Sequence, residues 1–427
     1  MANRLTSQLA KKLFLKALGG LEEGSLEVVC PEATYSFGRA DDPLRATIAV
    51  HDEAFFANAV IGGDVGMGEA YVQGQWSTPD LVSVVRVGVR NLEVLDRGSR
   101  MPGLFRRAAD FWSHRRNRNS VTGSRRNIAY HYDLGNEFYR LFLDATLAYS
   151  CAYYEGPEDS LEAAQIRKFD RICRKLQIGP QDHVLEIGTG WGGFAAYAAQ
   201  HCGCRVTTTT ISRQQFEYAR ALLTQSGMGK QVDLLFEDYR NLHGRYDKIV
   251  SIEMFEAVGH QHYDDYFGAC DRLLTENGSM LLQTITMREA KFAAYLKQSD
   301  WIKKHIFPGA ELASVGAIVQ SLKRCTRMQM FDLEDIGVHY ALTLREWRRR
   351  FHENLAAVRK LGFDETFMRM WDYYLAYCEG AFLERYIGDV QIVLSKVTNR
   401  TRLWNEPGSV AGALDEVRRP VSLPARL

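Results

Sequence analysis

Residues 183–200, HVLEIGTGWGGFAAYAAQ, join an apolar run, four glycines in six positions (Gly188, Gly190, Gly192 and Gly193) and a helical pattern. A strand, a glycine-rich turn and a helix N-terminus bring backbone N–H groups close to a ligand, and that ligand is normally a phosphate. A Walker loop would need Gly-Lys-Ser/Thr here, and no such lysine is present. Gly188, Gly190 and Gly193 meet G-x-G-x-x-G by count, so the turn alone leaves a dinucleotide open. Two features favour a cation instead. Glu186 stands two residues before the first glycine, where its carboxylate would attract a cation or amine and repel a pyrophosphate. The next strand ends in TTISRQQ, with no acid for the ribose hydroxyl of a nicotinamide cofactor. S-adenosylmethionine (SAM), a cation without phosphate, fits an acid beside a glycine turn, and the expected chemistry is methyl transfer.

Other chemistry-bearing residues read as structural. None of the eight cysteines forms a Cys-x-x-Cys pair. Cys202 and Cys204, after His201, read as a helix end followed by a buried strand rather than a metal site. His260 and His262, beside Asp264 and Asp265, read as solvated loop residues.

The elements that must position the turn follow from the rest of the chain. Its 427 residues suggest two domains, with 46% hydrophobic and 25% charged residues as in ordinary globular proteins. The net charge of +1 provides no global field toward nucleic acid or membrane. Leu5, Leu9, Leu13 and Ala17 predict an amphipathic N-terminal helix, and Lys11 and Lys12 argue against a signal peptide. Residues 1–95 read as a small mixed domain, with strands at SLEVVC, TYSFG and ATIAVHD, a Gly-rich stretch at 64–76 and a helix to about 95. Residues 96–127 form a basic linker with nine arginines and, from residue 97 onward, one acid, Asp110. Leu104, Phe105, Ala108, Phe111 and Trp112 share one helical face there. This is the composition of an interfacial helix on anionic lipid; a solvated linker docking on the next domain has the same composition, and an RNA-binding arm has no other support. From 128 to 400 strands and helices alternate, which predicts a mostly parallel, doubly wound α/β sheet of seven strands. Residues 401–427 read as a tail. No run of about 18 apolar residues occurs, and a reducing cytoplasm is expected.

Seven ordered segments give a more specific signal: HYDLGNEFYRLFLD (131–144), YSCAYY (149–154), VLEIGTGWGG (184–193), TISRQQ (210–215), IVSIEMFEAVG (249–259), WIKKHIFPG (301–309) and CEGAF (378–382). Together they resemble the cyclopropane-fatty-acyl-phospholipid synthase family, which includes mycolic acid cyclopropane synthase-like members. The resemblance implies a SAM-methyltransferase (Rossmann-like) sheet with a smaller mixed α+β N-terminal domain that presents lipid. It implies transfer of the SAM methyl to the double bond of an unsaturated phospholipid acyl chain. A carbocation follows, then loss of a proton from the new methyl and ring closure. It further implies a bicarbonate base in a cradle of Cys151, Glu256, Gln283, Ile285 and Tyr340, with Cys378 lining the pocket. For SAM it implies Tyr149, Ser150, the turn Val184, Glu186, Gly188, Thr189, Gly190, Trp191 and Gly192, then Thr210, Ile211, Ser212 and Gln215, and Asp238 with Tyr239 against the adenine. Thr, Ser and Gln side chains would replace the missing ribose acid. A carbocation needs a dry aromatic pocket, and the 20 Tyr and 21 Phe cluster at 130–154, 263–267 and 367–386. The implied partner is a membrane phospholipid, met peripherally at the inner face, with pairing of two copies through the N-terminal domains.

Two departures bear on the product. Gln283 stands where many members carry His, and Ala257 follows Glu256 where FEH is common. Gln can hydrogen-bond an anion but cannot relay a proton at neutral pH, so transfer without ring closure, giving methylene or methyl-branched chains, is the alternative. A small-amine N-methyltransferase and a lipid-binding protein with a relic SAM site are the other readings.

Overall fold

The computed structural model describes residues 2–98 and 134–401. The basic segment carrying Leu104, Phe105, Phe111 and Trp112, and the tail beyond 401, lie outside the described residues.

The N-terminal part comprises α1 (Ala2–Leu18), β1 (Ser25–Val29), β2 (Thr34–Gly38), β3 (Arg45–Val50), α2 (Ala54–Val72), β4 (Trp76–Ser77), α3 (Leu81–Arg90) and α4 (Leu92–Gly98). Its sheet runs β2-β1-β3-β4, with β1 antiparallel to β2 and parallel to β3. Most of the Gly-rich stretch, up to Val72, forms the end of helix α2, and the helix kinks at Gly63 (φ 59°). Its glycines allow close approach: a Cβ on Gly66 would lie 1.9 Å from the Asn58 carbonyl oxygen, and one on Gly68 2.4 Å from Trp301. In α1 the face turned inward carries Ala10, Phe14 and Leu18, whereas Leu9 and Leu13 of the apolar stripe are 58% and 39% exposed.

The second part continues with α5 (Asn136–Tyr139), α6 (Leu161–Leu176), β5 (His183–Ile187), α7 (Gly193–Cys202), β6 (Arg205–Thr209), α8 (Arg213–Gln225), β7 (Val232–Leu235), β8 (Tyr246–Ile252), α9 (Tyr263–Leu273) and β9 (Leu274–Met287). It ends with α10 (Glu289–Tyr295), α11 (Trp301–His305), α12 (Val315–Cys325), β10 (Met328–Asp335), α13 (Gly337–Glu353), α14 (Leu355–Lys360), α15 (Glu365–Leu383) and β11 (Ile387–Lys396). The sheet order is β10-β11-β9-β8-β5-β6-β7, and only the pairings of β11 are antiparallel. The chain leaves β5 toward one edge and returns at β8 to build the other, so the switch point lies between β5 and β8, where ligands of open α/β sheets bind. Capping side chains set the helix starts: Ser160 accepts from Ala163 N, Ser212 from Gln215 N and Asp364 from Phe367 N. Strand β9 takes in residues 274–278, which the sequence pattern assigns to the preceding helix.

The two parts join through α15. Asp372 accepts hydrogen bonds from Tyr71 Oη and Arg348 Nε, both at 2.7 Å, and pairs with His352 at 2.7 Å. Arg86 and Arg90 of α3 grip Glu384 at 2.6 and 2.7 Å. Truncation of Asp372 to Ala strands a half-buried guanidinium and a buried hydroxyl, and is expected to destabilise the protein by about 2–4 kcal/mol in denaturant titrations. Gly68→Val drives a side chain into the fully buried Trp301 ring; an overpacking cost of about 1–3 kcal/mol should lower the thermal midpoint, and an unchanged midpoint would refute the close-approach account.

Candidate active site

The carboxyl ends of β5, β6 and β8 meet at the switch point. Gly188 (φ 103°), Gly190 (φ 53°) and Gly192 (φ 93°) take left-handed conformations that let the chain fold back over the sheet. The N–H groups of Gly188 and Thr189 both donate to the Thr209 carbonyl, tying the turn to β6 at 3.1 and 3.0 Å. Trp191 anchors the other side, donating from Nε1 to Asn136 Oδ1 at 2.8 Å with its ring 4.8 Å from that of Tyr139.

Most of the residues expected at SAM surround one end of a large cavity: Tyr149, Ser150, Glu186, Gly188, Thr189, Gly190, Trp191, Thr210, Ile211, Gln215, Asp238 and Tyr239 line it. Val184, Gly192 and Ser212 do not. Val184 is buried in the core beneath the turn, Gly192 packs toward Ala219 of α8, and Ser212 caps α8. Thr210 Oγ1 donates to Gln215 Oε1 at 2.9 Å. Asp238 is held by Arg240 through contacts of 2.8 and 2.7 Å. Glu186 is buried and accepts from Thr208 Oγ1 at 2.5 Å; burial raises its pKa to about 8. A buried acid beside a left-handed glycine turn, with hydroxyl and amide groups opposite, is a donor and acceptor set that fits SAM.

Further along the cavity three acids converge. Glu256 Oε1 accepts from Ile285 N at 2.6 Å and Thr284 Oγ1 at 2.9 Å, while Oε2 has no hydrogen-bond partner among the described residues. Burial, reinforced by the neighbouring Glu253, raises its pKa to about 7. Glu253, at the end of β8, accepts from Cys151 N (2.7 Å) and Gln283 Nε2 (2.8 Å) at Oε1, and from Tyr340 Oη (2.6 Å) at Oε2. Asp389 of β11 accepts from the same Gln283 Nε2 at 3.2 Å. Gln391 Nε2 donates to Gln283 Oε1 at 3.0 Å and so fixes which way that amide points. Burial holds Glu253 and Asp389 above the usual carboxylate range. The compensating cation is Lys168, fully buried, donating to Ser150 Oγ at 2.6 Å and held below the usual lysine range by burial.

The cradle expected for bicarbonate is therefore divided. Ile285 and Thr284 hold Glu256, whereas Cys151, Gln283 and Tyr340 are already donating to Glu253. Free bicarbonate does not fit that set, because its donors are occupied by a carboxylate of the chain. Cys151 contributes its backbone N–H; burial pushes its thiol, and that of Cys378, well up, so neither is a ready thiolate.

The cavity, about 1650 Å³, continues past these acids to Leu26 and Ile48 of the N-terminal sheet and Phe14 of α1. That exceeds a usual small-molecule pocket of about 300–1,000 Å³. Tyr149, Phe307, Tyr340, Tyr374 and Phe382 face it beside Cys378. Tyr149 and Tyr374 share a hydroxyl hydrogen bond of 2.8 Å, and Tyr340 stacks on Phe382 at 4.5 Å. The 263–267 aromatics do not reach it: Tyr263, Tyr266 and Phe267 pack on Phe255 in a separate core.

Glu253, Lys168 and Asp389 escape the sequence reading. Lys168 carries a detectable signal, since it falls on the apolar face of α6 with Leu161, Ala164 and Ile172. Asp389 likewise stands in a buried strand, ahead of Val390, Ile392, Val393 and Leu394 in β11. Glu253 has no such mark, because a carboxylate at a strand end ordinarily reads as the first solvated residue.

With this geometry in place, the chain can be set against known proteins. The family described as mycolic acid cyclopropane synthetase matches residues 119–392. Tuberculostearic acid methyltransferase UfaA1 of Mycobacterium tuberculosis is 36% identical over 409 residues, covering 92% of this chain and 90% of that protein. Cyclopropane-fatty-acyl-phospholipid synthase of Escherichia coli (strain K12) is 37% identical over 363 residues, covering 82% and 88%. Mycolic acid cyclopropane synthase CmaA1, solved in complex with SAH and CTAB, superposes with a TM-score of 0.60 at 32% identity, covering 64% of this chain and 98% of that one. This chain belongs to the mycolic acid cyclopropane synthetase family and is a SAM-dependent methyltransferase.

Proposed function

We propose that this protein moves the methyl carbon of SAM onto the double bond of an unsaturated phospholipid acyl chain and closes a cyclopropane ring, working at a membrane surface. The observation that carries the reading is the single cavity joining the glycine turn to the apolar interior of the N-terminal domain. A small polar amine would need no such space.

The chain's own groups divide the work. The turn and Glu186 would hold SAM, which supplies an electrophilic methyl. The apolar far end of the cavity would take the acyl tail, aligning the double bond with that methyl. The faces of Tyr149, Tyr374, Phe307 and Phe382 would stabilise positive charge on the acyl chain and keep water away from it. A buried acid would then accept the proton. Among the residues that line the cavity, Leu13 and Ile61 are 39% and 75% exposed. Exposed apolar side chains on the lining support an approach to a bilayer surface.

Methyl-deuterated SAM incubated with vesicles of mono-unsaturated phospholipid should yield fatty acids with high-field ring methine protons and a ring methylene that carries the two retained deuteriums, read by proton and deuterium NMR and mass spectrometry. An olefinic CD2 signal in the deuterium spectrum, without ring methine protons, would overturn ring closure, and unlabelled lipid would overturn the lipid substrate. A second outcome concerns pH. A cation beside Glu186 favours its ionised form, so binding below about pH 8 must expel a proton. SAM affinity should weaken as pH falls from 8, by up to about tenfold per unit, and Glu186→Gln should flatten that profile. Calorimetry in buffers of different ionisation enthalpy reads the proton release directly.

A further inference from the structure

We propose that the Glu253 carboxylate is the proton acceptor of this reaction, a built-in replacement for a free anion in the Cys151–Gln283–Tyr340 cradle. The inference rests on the lipid reading above and names the base within it.

Three observations carry it. First, the two Glu253 oxygens take all three cradle donors, at 2.6–2.8 Å. A carboxylate offers about four acceptor positions, so one remains for a proton. Second, Glu253 lines the cavity next to the aromatic faces, so the position is open to a bound chain. Third, its backbone sits at φ 48°, a left-handed conformation that a glutamate adopts only at a cost. Such strain is retained where the surrounding structure demands the side chain's placement. Here it places the carboxylate against Cys151, Gln283 of β9 and Tyr340 of α13. Gln283 completes the fit. Its amide presents two N–H bonds and spans Glu253 and Asp389 together, which a neutral imidazole with one N–H cannot do.

The step balances without a further reactant. One alkene carbon forms a bond to the methyl carbon as the sulfur–carbon bond breaks, leaving its electron pair on sulfur and positive charge on the other alkene carbon. A Glu253 oxygen takes a proton from the new methyl group. The released C–H electron pair forms the bond to the cationic carbon and closes the ring. Glu253 leaves the cycle protonated and returns its proton to solvent when the cavity empties.

The test uses the full chain, methyl-deuterated SAM and mono-unsaturated phospholipid vesicles in buffer purged of carbon dioxide, with and without added sodium bicarbonate. Wild-type turnover should be the same in both. Glu253→Gln, which keeps the side chain's size but loses its basicity and turns one acceptor oxygen into a donor, should lose about 10²–10⁴-fold while still binding SAM in calorimetry. Glu253→Gly relieves the left-handed strain, leaves the cradle donors free, and should regain turnover when bicarbonate is added. Wild-type turnover that collapses without bicarbonate, or a Glu253→Gln variant at the wild-type rate, overturns the proposal. A wild-type protein that labels no lipid in either buffer overturns the lipid reading on which it rests.

Discussion

A carboxylate taken out of water must be given hydrogen-bond donors or lose its charge, and the centre of this molecule is organised by that demand. Four acids, Glu186, Glu253, Glu256 and Asp389, and one lysine, Lys168, are buried within reach of the switch point. Their donors come from widely separated parts of the chain: Cys151 before α6, Gln283 and Ile285 in β9, Tyr340 in α13. Meeting the demand sets the register of β9 against β11, because Gln283 pairs directly opposite Gln391 and their amides bond to each other. The sheet therefore does more than support the site, since a slip of one residue would turn Gln283 away from both acids.

The N-terminal part depends on the same centre for a different reason. Its sheet is small, with β4 only two residues long, and would bury little surface alone. Docking on α15 gives it a floor, fastened by Asp372 and Glu384, and the space left between the two parts is the apolar half of the cavity. Gly68 brings α2 close against Trp301 and Tyr373, and Gly66 lets the kinked helix pack on its own Asn58 carbonyl.

Much of the catalytic sheet was legible in the sequence, because its strands are apolar runs separated by capped amphipathic helices and its turn is marked by four glycines. The helix predicted by the spacing of Leu5, Leu9, Leu13 and Ala17 is present as Ala2–Leu18, but Leu9 and Leu13 are exposed, and Phe14 and Leu18 pack inward. The Gly-rich composition of 64–76 marks no element type by itself; residues up to Val72 belong to α2, where Gly68 serves close packing. At the site, Cys151, Gln283, Tyr340, Glu256 and Ile285 do converge, yet as the supports of two carboxylates rather than of one free anion. That difference turns on Glu253, whose role depends on a backbone conformation that no local pattern of residue types announces.

The position of Cys378 has a pharmacological consequence. Its thiol lines the cavity but is not activated, so an alkylating agent would act there as a plug rather than by removing a nucleophile. Potency should then track the bulk and greasiness of the adduct instead of its intrinsic electrophilicity. A long-tailed, weakly reactive reagent that first lodges in the apolar cavity would outperform a small, aggressive one, and any ligand filling that cavity would shield the thiol from both.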